Sequence, residues 1–451
     1  MDVDIETVDS TGDGLARGRG MTIHVPYTIP GERVRVHVEH RRGREAWGSV
    51  EAILNASPHR IAPRCAHFGP PDHCGGCTWQ HISYPEQLRL KSTLVRACVA
   101  AAMDGGVPEV RPTLPATRVE DPWGYRHKAH FVFANADRGR RLVMGHYSRG
   151  TRHVFDACEC PVHDPRGNAF AFRLHEQCAA AGIAAASDAG RGPGALRSIA
   201  MRAGANTPEL MATLVVTDPG DKRLRSATRR ALATPEAPQS FHLNIHPRPD
   251  PYIFGRDTRH IRGPHHLRER VADTTFLVSP TAFFQTNVNA AEILVGLVLD
   301  GLPPGQPVLD LYAGVGLFAL PLAKRGDRVT AVEENRAATA DGIASLRVNR
   351  VDEKTCRFVA RRVEAALQSV QPRDAAHAVL DPPREGCAPA VLDELFGRIR
   401  PARAAYVSCN PEALGRDLAR IARHGYRPGP LQPVDMFPHT AHVETVAILT
   451  R

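Results

Sequence analysis

The sequence lacks an uninterrupted apolar run of the roughly 18 to 20 residues that a membrane-spanning helix needs. Its first residues, MDVDIETVDSTGDG, are acidic, so they also lack the basic start and apolar core of a signal peptide. We therefore expect a cytoplasmic protein that does not bind a membrane. In that compartment the ten cysteines are better explained as metal ligands, a nucleophile or packed core residues than as disulfides.

The composition is that of a folded chain with more than one domain. Its 451 residues exceed the size of one ordinary core, and 43% hydrophobic with 23% charged residues indicates a globular protein. The formal net charge of +9 favours a polyanionic partner, although an arginine-rich composition without such a partner would give the same charge. No sequence feature indicates an obligate protein partner.

Three regions follow one another along the chain. Residues 1–58 alternate apolar and polar side chains between glycine turns, which predicts a small β-barrel. Residues 59–270 contain a cysteine-bearing loop, the helical stretch YPEQLRLKSTLVRACVAAAM and β-like runs such as HKAHFVFA, which predicts an α+β region. Residues 271–451 alternate short buried strands with helices, which predicts a doubly wound, mostly parallel α/β sheet.

Arginines add positive charge to the first two regions. Those expected on the exposed side of the barrel are Arg33, Arg35, Arg41, Arg42 and Arg44. The middle region contributes the basic run YRHKAHF together with Arg138, Arg140, Arg141, Arg149 and Arg152. Small basic barrels commonly bind oligonucleotides, and these side chains would extend a track for phosphates. A solvated surface is the alternative for each arginine taken singly.

A nucleotide-like ligand is indicated where the third region begins. The stretch LDLYAGVGLFALPLA places Asp310, Gly314 and Gly316 between a strand and a helix, where glycines let a ligand approach the backbone. VTAVEEN then places Glu333 at the end of the second strand, where a carboxylate can hold ribose hydroxyls. Both features fit a dinucleotide or S-adenosylmethionine, and the departure from G-x-G-x-x-G favours S-adenosylmethionine. A structural turn without a ligand is the alternative.

Reactive side chains follow two later strands of the same region. AVLDPPREGC places Asp381 at a rigid turn, where it either faces the ligand crevice or caps a helix. In YVSCNP, Tyr406 and Val407 predict a strand end, and Asn410-Pro411 predicts that a loop opens after Cys409. A methyl donor beside a cysteine suits alkylation of a pyrimidine: sulfur adds to carbon 6 and makes carbon 5 nucleophilic.

That reaction also needs a base for the carbon 5 proton. FPHTAHVETVAILT supplies Glu444 at the start of an apolar strand, where partial burial would raise the pKa of its carboxyl group. An isolated cysteine such as Cys409 is more often a packing residue than a catalytic one. Its position beside Asp381 and the glycine loop is what favours the catalytic interpretation.

Further cysteines have the spacing of a metal site. RCAHFGPPDHCGGCTWQH contains Cys65, Cys74 and Cys77, and FDACECPVH later adds Cys158 and Cys160. Three close thiolates with a distant fourth can bind zinc or an iron–sulfur cluster, and spacing alone does not distinguish the two.

The motifs FFQTN, LDLYAGVGLF, LDPPREG, YVSCNP and FPHTAHVE together resemble those of the RNA 5-methyluridine methyltransferases, in the same order. The resemblance implies a Rossmann-like class I methyltransferase domain at residues 271–451. It also implies that Cys409 is the nucleophile and Glu444 the base. The residues that it implies around the cofactor and uracil are Gln285, Tyr312, Gly314, Glu333 and Asp381.

The remaining regions are similar to other parts of that family. GDGLARGRGMTIHVPYTIPGERVRV resembles the TRAM domain, an OB-like barrel found on RNA-modifying enzymes. Family members with this barrel often carry C-G-G-C and a late Cys-Pro that bind a [4Fe-4S] cluster. The resemblance therefore implies Cys65, Cys74, Cys77 and Cys160 as ligands, with Cys158 as the rival for the fourth position.

The implied activity is S-adenosylmethionine-dependent methylation of carbon 5 of a uridine in structured RNA. The barrel and the cysteine loop favour ribosomal RNA as substrate over transfer RNA. Two alternatives remain at this stage. One is methylation of cytosine at carbon 5, which uses the same sulfur chemistry, and the other is a non-catalytic RNA-binding or cluster-carrying protein on a methyltransferase fold.

Overall fold

The computed structural model describes residues 1–103, 106–136, 141–186, 194–248, 250 and 252–451. The amino-terminal strands are β1 (Asp2–Val8), β2 (Gly14–Gly18), β3 (Met21–Val25), β4 (Arg33–Arg42) and β5 (Glu45–Asn55). They close into a barrel in the order β1-β2-β3-β5-β4, as predicted. Along β4, buried Val34 and Val36 alternate with exposed Arg33 and Arg35, because successive side chains of a strand point to opposite faces.

The cysteine-bearing loop follows the barrel and leads into helix α1 (Tyr84–Ala102) and the short strand β6 (Leu114–Pro115). Helix α1 forms where the sequence predicts a helix. Its buried residues Leu90, Leu94, Val95 and Val99 recur at the three- and four-residue spacing of one helix face.

The central region is a mixed sheet with helices packed against it. Its strands are β7 (Lys128–Ala136), β8 (Arg141–Gly145), β9 (Leu196–Ala203), β10 (Leu210–Val216), β11 (Ser240–Ile245) and β12 (Asp257–Arg262). Its helices are α2 (Pro165–Ala180) and α3 (Lys222–Ala231). The strand order is β12-β11-β10-β9-β7-β8, and Phe131, Phe170, Leu174 and Phe241 are buried in its core. Arg138 and Arg140 of the predicted phosphate track lie outside the described residues.

A hairpin and an alternating series of helices and strands make up the rest. The hairpin is β13 (Leu267–Val271) with β14 (Thr274–Val278). The later strands are β15 (Pro307–Leu311), β16 (Arg328–Glu333), β17 (Cys356–Ala360), β18 (His377–Leu380), β19 (Arg403–Ser408), β20 (Arg427–Pro428), β21 (Gln432–Asp435) and β22 (Glu444–Thr450). The α-helices are α4 (Val288–Gly301), α5 (Ala319–Lys324), α6 (Arg336–Val348), α7 (Val363–Leu367), α8 (Pro389–Leu392) and α9 (Pro411–Ala422). A 3-10 turn spans Pro372–Asp374, and a π-helix spans Asp393–Ile399.

These strands form one sheet in the order β17-β16-β15-β18-β19-β22-β21-β6, with β20 paired to β22. Strands β15 to β19 are parallel, and β22 runs antiparallel to β19 and β21. Separate apolar clusters lie on the two faces, so the strands are buried on both sides and read as continuous apolar runs. Among the described helices, none is both long enough and apolar enough to cross a membrane.

The segment from α1 to β6 belongs structurally to the carboxyl-terminal sheet, although the sequence analysis grouped it with residues 59–270. Strand β6 pairs in parallel with β21, and α1 packs against α9 and β21. Sequence position misassigned this segment because its partners lie far along the chain.

A buried ion pair fastens α1 to this sheet. The Lys91 ammonium donates to the Asp435 carboxylate, and both side chains are 0% exposed. Lys91 Nζ also donates to the carbonyl of Phe437 at 2.9 Å. Removing one member of a fully desolvated pair leaves the other charge buried without a partner.

We expect Lys91→Met to lower the free energy of unfolding by about 3 to 5 kcal/mol, because Asp435 would lose its counter-charge. Lys354→Met is the matched control: Lys354 is exposed, so its replacement should change stability by no more than about 0.5 kcal/mol. Denaturant unfolding of both variants measures the difference. The double variant Lys91→Met with Asp435→Leu should recover most of the loss, and an unchanged stability for Lys91→Met alone would contradict the assigned role.

Candidate active site

The carboxyl ends of the parallel strands meet at one edge of the sheet, where open α/β folds bind their ligands. β15 leads into the loop of Tyr312 and Gly314, β16 ends at Glu333, and Asp381 and Cys409 directly follow β18 and β19. A cavity of about 1210 Å³ opens at this edge.

The residues predicted from sequence to bind cofactor or act on substrate all line this cavity: Gln285, Tyr312, Gly314, Glu333, Asp381, Cys409 and Glu444. The other regions also contribute to its wall. Thr11 comes from the barrel, Gly75 and Gly76 come from the cysteine loop, and Arg126 comes from the central region. The motifs gave no signal for these contributions, because they depend on how the three regions pack.

The glycine loop is held by the Glu333 carboxylate. Oε2 accepts a hydrogen bond from the Gly314 amide at 2.9 Å, and Oε1 accepts one from the Asn335 amide at 2.7 Å. Gly316 has φ +90°, and a Cβ there would lie 2.3 Å from Leu320, so only glycine fits. A Cβ on Gly314 would meet nothing within 4 Å, which leaves room for a ligand against its backbone.

Asp310 lies fully buried beneath this loop. Burial, and then the neighbouring charge of Asp381, raise the pKa of its carboxyl group well above the usual value, while the Ala319 amide opposes this more weakly. Neither oxygen has a donor in hydrogen-bond geometry among the residues described. A buried carboxylate beside an open glycine loop fits a cationic, hydrogen-bonding ligand such as the amino acid end of S-adenosylmethionine.

Cys409 lies between the end of β19 and the start of α9. Asn410 caps that helix, since its side chain accepts hydrogen bonds from the amides of Glu412 and Ala413, and Pro411 occupies its first turn. The expectation that Asn410-Pro411 opens a loop is therefore wrong. The same pair starts a helix, because proline needs no amide partner there.

Two carboxyl groups line the cavity with the Cys409 thiol and act on it electrostatically. Burial raises the pKa of Asp381 above its usual range, and burial followed by the Asp381 charge does the same for Glu444. The Cys409 thiol has its pKa raised to about 12 by burial and then by the charges of Glu444 and Asp381. The thiol is therefore protonated at rest, beside carboxyl groups that can take up protons near neutral pH.

Arg384 is a site residue that the sequence reasoning missed, although it lies within the motif LDPPREG. Its positive charge lowers the pKa of both Glu444 and Cys409, against the effect of burial. One guanidinium nitrogen lies 2.7 Å from Nδ1 of His442, and the Arg384 carbonyl accepts a hydrogen bond from the Asn410 side chain at 2.9 Å. Arg384 thus supplies a positive charge that favours the ionised forms of Glu444 and Cys409.

A buried network supports the loop that follows Asp381. The Tyr406 hydroxyl donates to the Asp417 carboxylate, which also accepts the Cys387 amide at 2.8 Å. Tyr406 belongs to β19 and Asp417 to α9, so the network joins the loops that follow β18 and β19.

A second cavity, of about 450 Å³, is lined by Cys65, Cys74, Cys77 and Cys160. Burial raises the pKa of Cys77 to about 12, and the neighbouring thiols Cys74 and Cys65 add to this effect. Burial, and then the thiols of Cys77, Cys74 and Cys65, also raise the pKa of Cys160. Thiols gathered in one buried place suit a metal or cluster, which stabilises their ionised form.

Cys158, the rival fourth ligand, lies apart from this cavity. Its side chain is exposed, and its sulfur lies 3.3 Å from Nε2 of His67. Cys160 is buried and lines the cavity with the other three cysteines.

Nitrogen atoms without partners surround the second cavity. Arg126 Nε, His130 Nε2, His146 Nε2 and His163 Nδ1 are buried and make no hydrogen bond among the described residues. The ligand atoms of His146, Cys160 and His163 lie within 4.8 Å of one another, so these histidines are a second donor set for a metal ion. Buried polar nitrogens without partners beside four thiols fit a group bound in this cavity.

The two cavities share a wall. Gly75, Gly76 and Arg126 line both of them. A Cβ on Gly75 would lie 3.2 Å from the Tyr147 carbonyl, so the two segments would have to move apart by a few tenths of an ångström. The cysteine loop therefore has one side toward the thiols and the other toward Cys409.

Comparison with known proteins gives a consistent result. Residues 208–451 match the family model described as tRNA (uracil-5-)-methyltransferase. An uncharacterized RNA methyltransferase of Thermosynechococcus vestitus is 35% identical, over 99% of this chain and 97% of its own length. Another, from Halalkalibacterium halodurans, is 31% identical over 100% of this chain and 96% of its own length.

A solved structure is similar along the whole chain. The tRNA (uracil-54, C5)-methyltransferase of Pyrococcus abyssi, in complex with S-adenosyl-L-homocysteine, has a TM-score of 0.79 and 27% identity, with 100% of both chains covered. This similarity confirms the class I methyltransferase fold predicted from the sequence. The family model and the full-length relatives together show that the chain belongs to the tRNA (uracil-5-)-methyltransferase family.

Proposed function

We propose that this protein uses S-adenosylmethionine to methylate carbon 5 of a uridine in structured RNA, with Cys409 as nucleophile and Glu444 as base. The observation that carries the proposal is the cavity that unites Cys409, Glu444 and Asp381 with the glycine loop of Tyr312 and Gly314. A methyl-donor site and a sulfur nucleophile in one cavity suit a pyrimidine ring, which needs activation before it accepts a methyl group.

The cofactor end of the cavity would hold S-adenosylmethionine, which supplies an electrophilic methyl group when bound. Glu333 is placed for the ribose hydroxyls, Asp310 for the amino acid end, and the open backbone at Gly314 for close approach. Gln285 and Tyr312 complete the walls around cofactor and uracil.

The reaction begins when the Cys409 sulfur bonds to carbon 6 and the ring electrons move toward carbon 5. The thiol proton passes to Asp381, because Glu444 must stay ionised for the later step. Carbon 5 would then take the methyl group from the sulfonium of S-adenosylmethionine, whose sulfur–methyl bond would break with both electrons left on sulfur, giving S-adenosylhomocysteine. Glu444 removes the carbon 5 proton, the carbon 5–carbon 6 double bond re-forms, and the Cys409 thiolate leaves.

The substrate must present an unstacked uridine, since the cavity lies within the protein and a base inside a helix cannot reach it. Sequence reasoning favoured ribosomal RNA. The matched family description and the similar Pyrococcus abyssi enzyme both name tRNA, which supports transfer RNA instead. We therefore propose structured RNA as the substrate class, with transfer RNA tested beside ribosomal RNA.

We also propose a [4Fe-4S] cluster held by Cys65, Cys74, Cys77 and Cys160, and a TRAM-like role in RNA binding for the barrel. The four thiols that line one cavity support the first proposal. The exposed arginines of β4 support the second. A structural role for the cluster fits best, because methyl transfer from this cofactor needs no electron from an external oxidant or reductant.

The first test is incubation of anaerobically purified protein with labelled S-adenosylmethionine and unmodified transfer or ribosomal RNA, followed by nucleoside mass spectrometry. We expect label in 5-methyluridine, and we expect Cys409→Ala to abolish it while cofactor binding persists. Cys98→Ala, which changes a half-buried cysteine on α1, is the matched control and should retain activity. Label in 5-methylcytidine would indicate the cytosine reaction, and cofactor binding without label in either RNA would indicate a non-catalytic protein.

Glu444→Gln should accumulate a covalent protein–RNA complex, because an amide cannot remove the carbon 5 proton and the sulfur then stays bonded to carbon 6. Denaturing gel electrophoresis with labelled RNA detects the complex. The control is Glu412→Gln, since Glu412 is an exposed residue of α9. Normal product release by Glu444→Gln, without the complex, would exclude Glu444 as the base.

Activity should fall as the pH is lowered, with a midpoint above the ordinary glutamate pKa of 4.5. The sign follows because Glu444 acts only when ionised, and burial favours its neutral form. Arg384→Met removes a positive charge that lowers the pKa of Glu444, so the midpoint should move to higher pH. Single-turnover methylation rates measure the midpoint, and an unmoved midpoint in Arg384→Met would refute Glu444 as the titrating base.

A further inference from the structure

Three cationic side chains are gathered at one end of the central sheet. Lys128 begins β7 and lies directly opposite Arg202 of β9 in the antiparallel register. Directly opposed residues point to the same face, so the ammonium and the guanidinium are neighbours. Arg126 precedes Lys128 by two residues and contributes to the electrostatic field at the Lys128 ammonium.

Among the described residues, no carboxylate forms an ion pair with any of these three cations. Arg202 is 6% exposed and donates to the Ala282 carbonyl at 2.7 Å. Its nearest acidic neighbours are engaged elsewhere: Glu269 accepts the Ala205 amide at 2.7 Å, and Asp341 accepts the Ser279 amide at 2.8 Å. Both carboxylates still favour the charged form of Arg202, whereas no carboxylate of the described residues contributes to the electrostatic field at the Lys128 ammonium.

The charged form of Lys128 is poorly stabilised by its surroundings. Burial first, and then the charges of Arg202 and Arg126, lower the pKa of its ammonium to about 7. On its own strand His130 also faces it, but burial lowers the pKa of that imidazole to about 4, so the ring is neutral. Among the described residues of the neighbouring loop, the Phe254 ring lies 5.9 Å from the ammonium, and this cation–π contact brings no formal negative charge. A buried ammonium beside other cations lowers the free energy of unfolding. Such locally unfavourable arrangements are characteristic of binding sites.

The three cations adjoin the cavity that contains Cys409, called the reaction cavity below, through Arg126 and through the loop that carries Gln285. Arg126 lines the cavity itself. Arg202 holds the carbonyl of Ala282, which precedes Phe283 and Gln285 of the cavity wall. The amide of His127, between Arg126 and Lys128, donates to the Thr286 carbonyl at 2.7 Å. The cationic group is thus fastened to both ends of the loop that carries Gln285.

We propose that Lys128, Arg202 and Arg126 form a binding site for a backbone phosphate of the RNA, next to the nucleotide whose base enters the reaction cavity. This inference rests on the proposed function, because an extruded nucleotide brings its flanking phosphates to the cavity edge. A phosphate would supply the missing negative charge in a partly desolvated place, where charge-assisted hydrogen bonds are strong. The site positions the target nucleotide and does not read the base.

The test compares Lys128→Met with Lys128→Arg in the full-length, cluster-loaded protein, with unmodified transfer and ribosomal RNA transcripts as probes. We expect Lys128→Met to weaken RNA binding about tenfold and to reduce the slope of log affinity against log salt by about 0.7 to 1. Lys128→Arg should retain most of the affinity. Lys354→Met is the control, because Lys354 lies just before β17, at the sheet edge opposite the cavity. Fluorescence anisotropy measures binding.

The pH dependence supplies a readout that a structural role would not change. RNA affinity of the unaltered protein should decrease as pH rises above about 7, because the unbound lysine loses its charge there. This decrease should vanish in Lys128→Met and shift to much higher pH in Lys128→Arg. Replacing single phosphates by neutral methylphosphonates should identify one whose loss weakens binding to the unaltered protein and has no further effect on Lys128→Met.

Three results for Lys128→Met would overturn the phosphate site. The first is unchanged affinity and salt slope for both RNAs, and the second is weaker binding that is explained by loss of iron from the variant. The third is a lowered melting temperature of the variant. The last would show that Lys128 stabilises the fold, whereas removal of an unpaired buried ammonium should leave stability unchanged or higher. Formation of 5-methyluridine at saturating RNA is measured separately. Its absence from the unaltered protein would refute the proposed function, while the binding comparison still decides whether Lys128 contacts a phosphate.

Discussion

The buried ion pair between Lys91 and Asp435 is the contact on which the geometry of the reaction cavity depends. Asp435 ends β21, and the same ammonium holds the Phe437 carbonyl at 2.9 Å. The pair therefore fixes the path of the chain between β21 and Glu444, which begins β22. Because both charges have lost their water, neither partner can be removed without leaving the other uncompensated. An interaction that adds little net stability by itself thus holds the start of the segment that leads to Glu444.

The chain beyond this pair joins the other regions at His439. Its carbonyl accepts the amides of Thr78 and Trp79, both at 2.9 Å, from the cysteine loop. Its ring approaches the Pro122 carbonyl at 3.0 Å and stacks on Trp123 with centroids 3.9 Å apart. Burial lowers the pKa of this imidazole to about 3, so the ring stays neutral and can donate to the carbonyl. The segment before Glu444 is consequently held in common by the cysteine loop and the central region, which explains why residues of both reach the cavity.

The features that the sequence predicted well are those decided by neighbours along the chain. Glu333, Asp381 and Cys409 end or follow short apolar runs, and parallel strands bring such ends to one edge. Packing between distant segments was not predictable in this way, so the cavity walls from Thr11 and Arg126 and the placement of α1 against the last sheet went unrecognised. One local inference also failed, at Asn410-Pro411, because a capping residue followed by proline begins a helix as readily as a loop. The raised pKa of Glu444 agrees with the expectation from the apolar strand that it begins, whereas that of Asp381 follows from burial that its motif does not specify.

The pairing of β6 with β21 means that the methyltransferase region is not a separable module. Residues 271–451 alone would expose the edge of β21 and the apolar surface that α1 covers, and both are sites of aggregation in an isolated fragment. The contacts of Lys91 and Gln432 span 344 and 320 residues of chain, so this part of the sheet closes only after distant segments have met. Formation of such contacts is slow relative to local structure. Residues 271–451 could therefore not easily be transferred between genes by themselves. A recombination event would also have to carry α1 and β6, which complete the sheet of this domain.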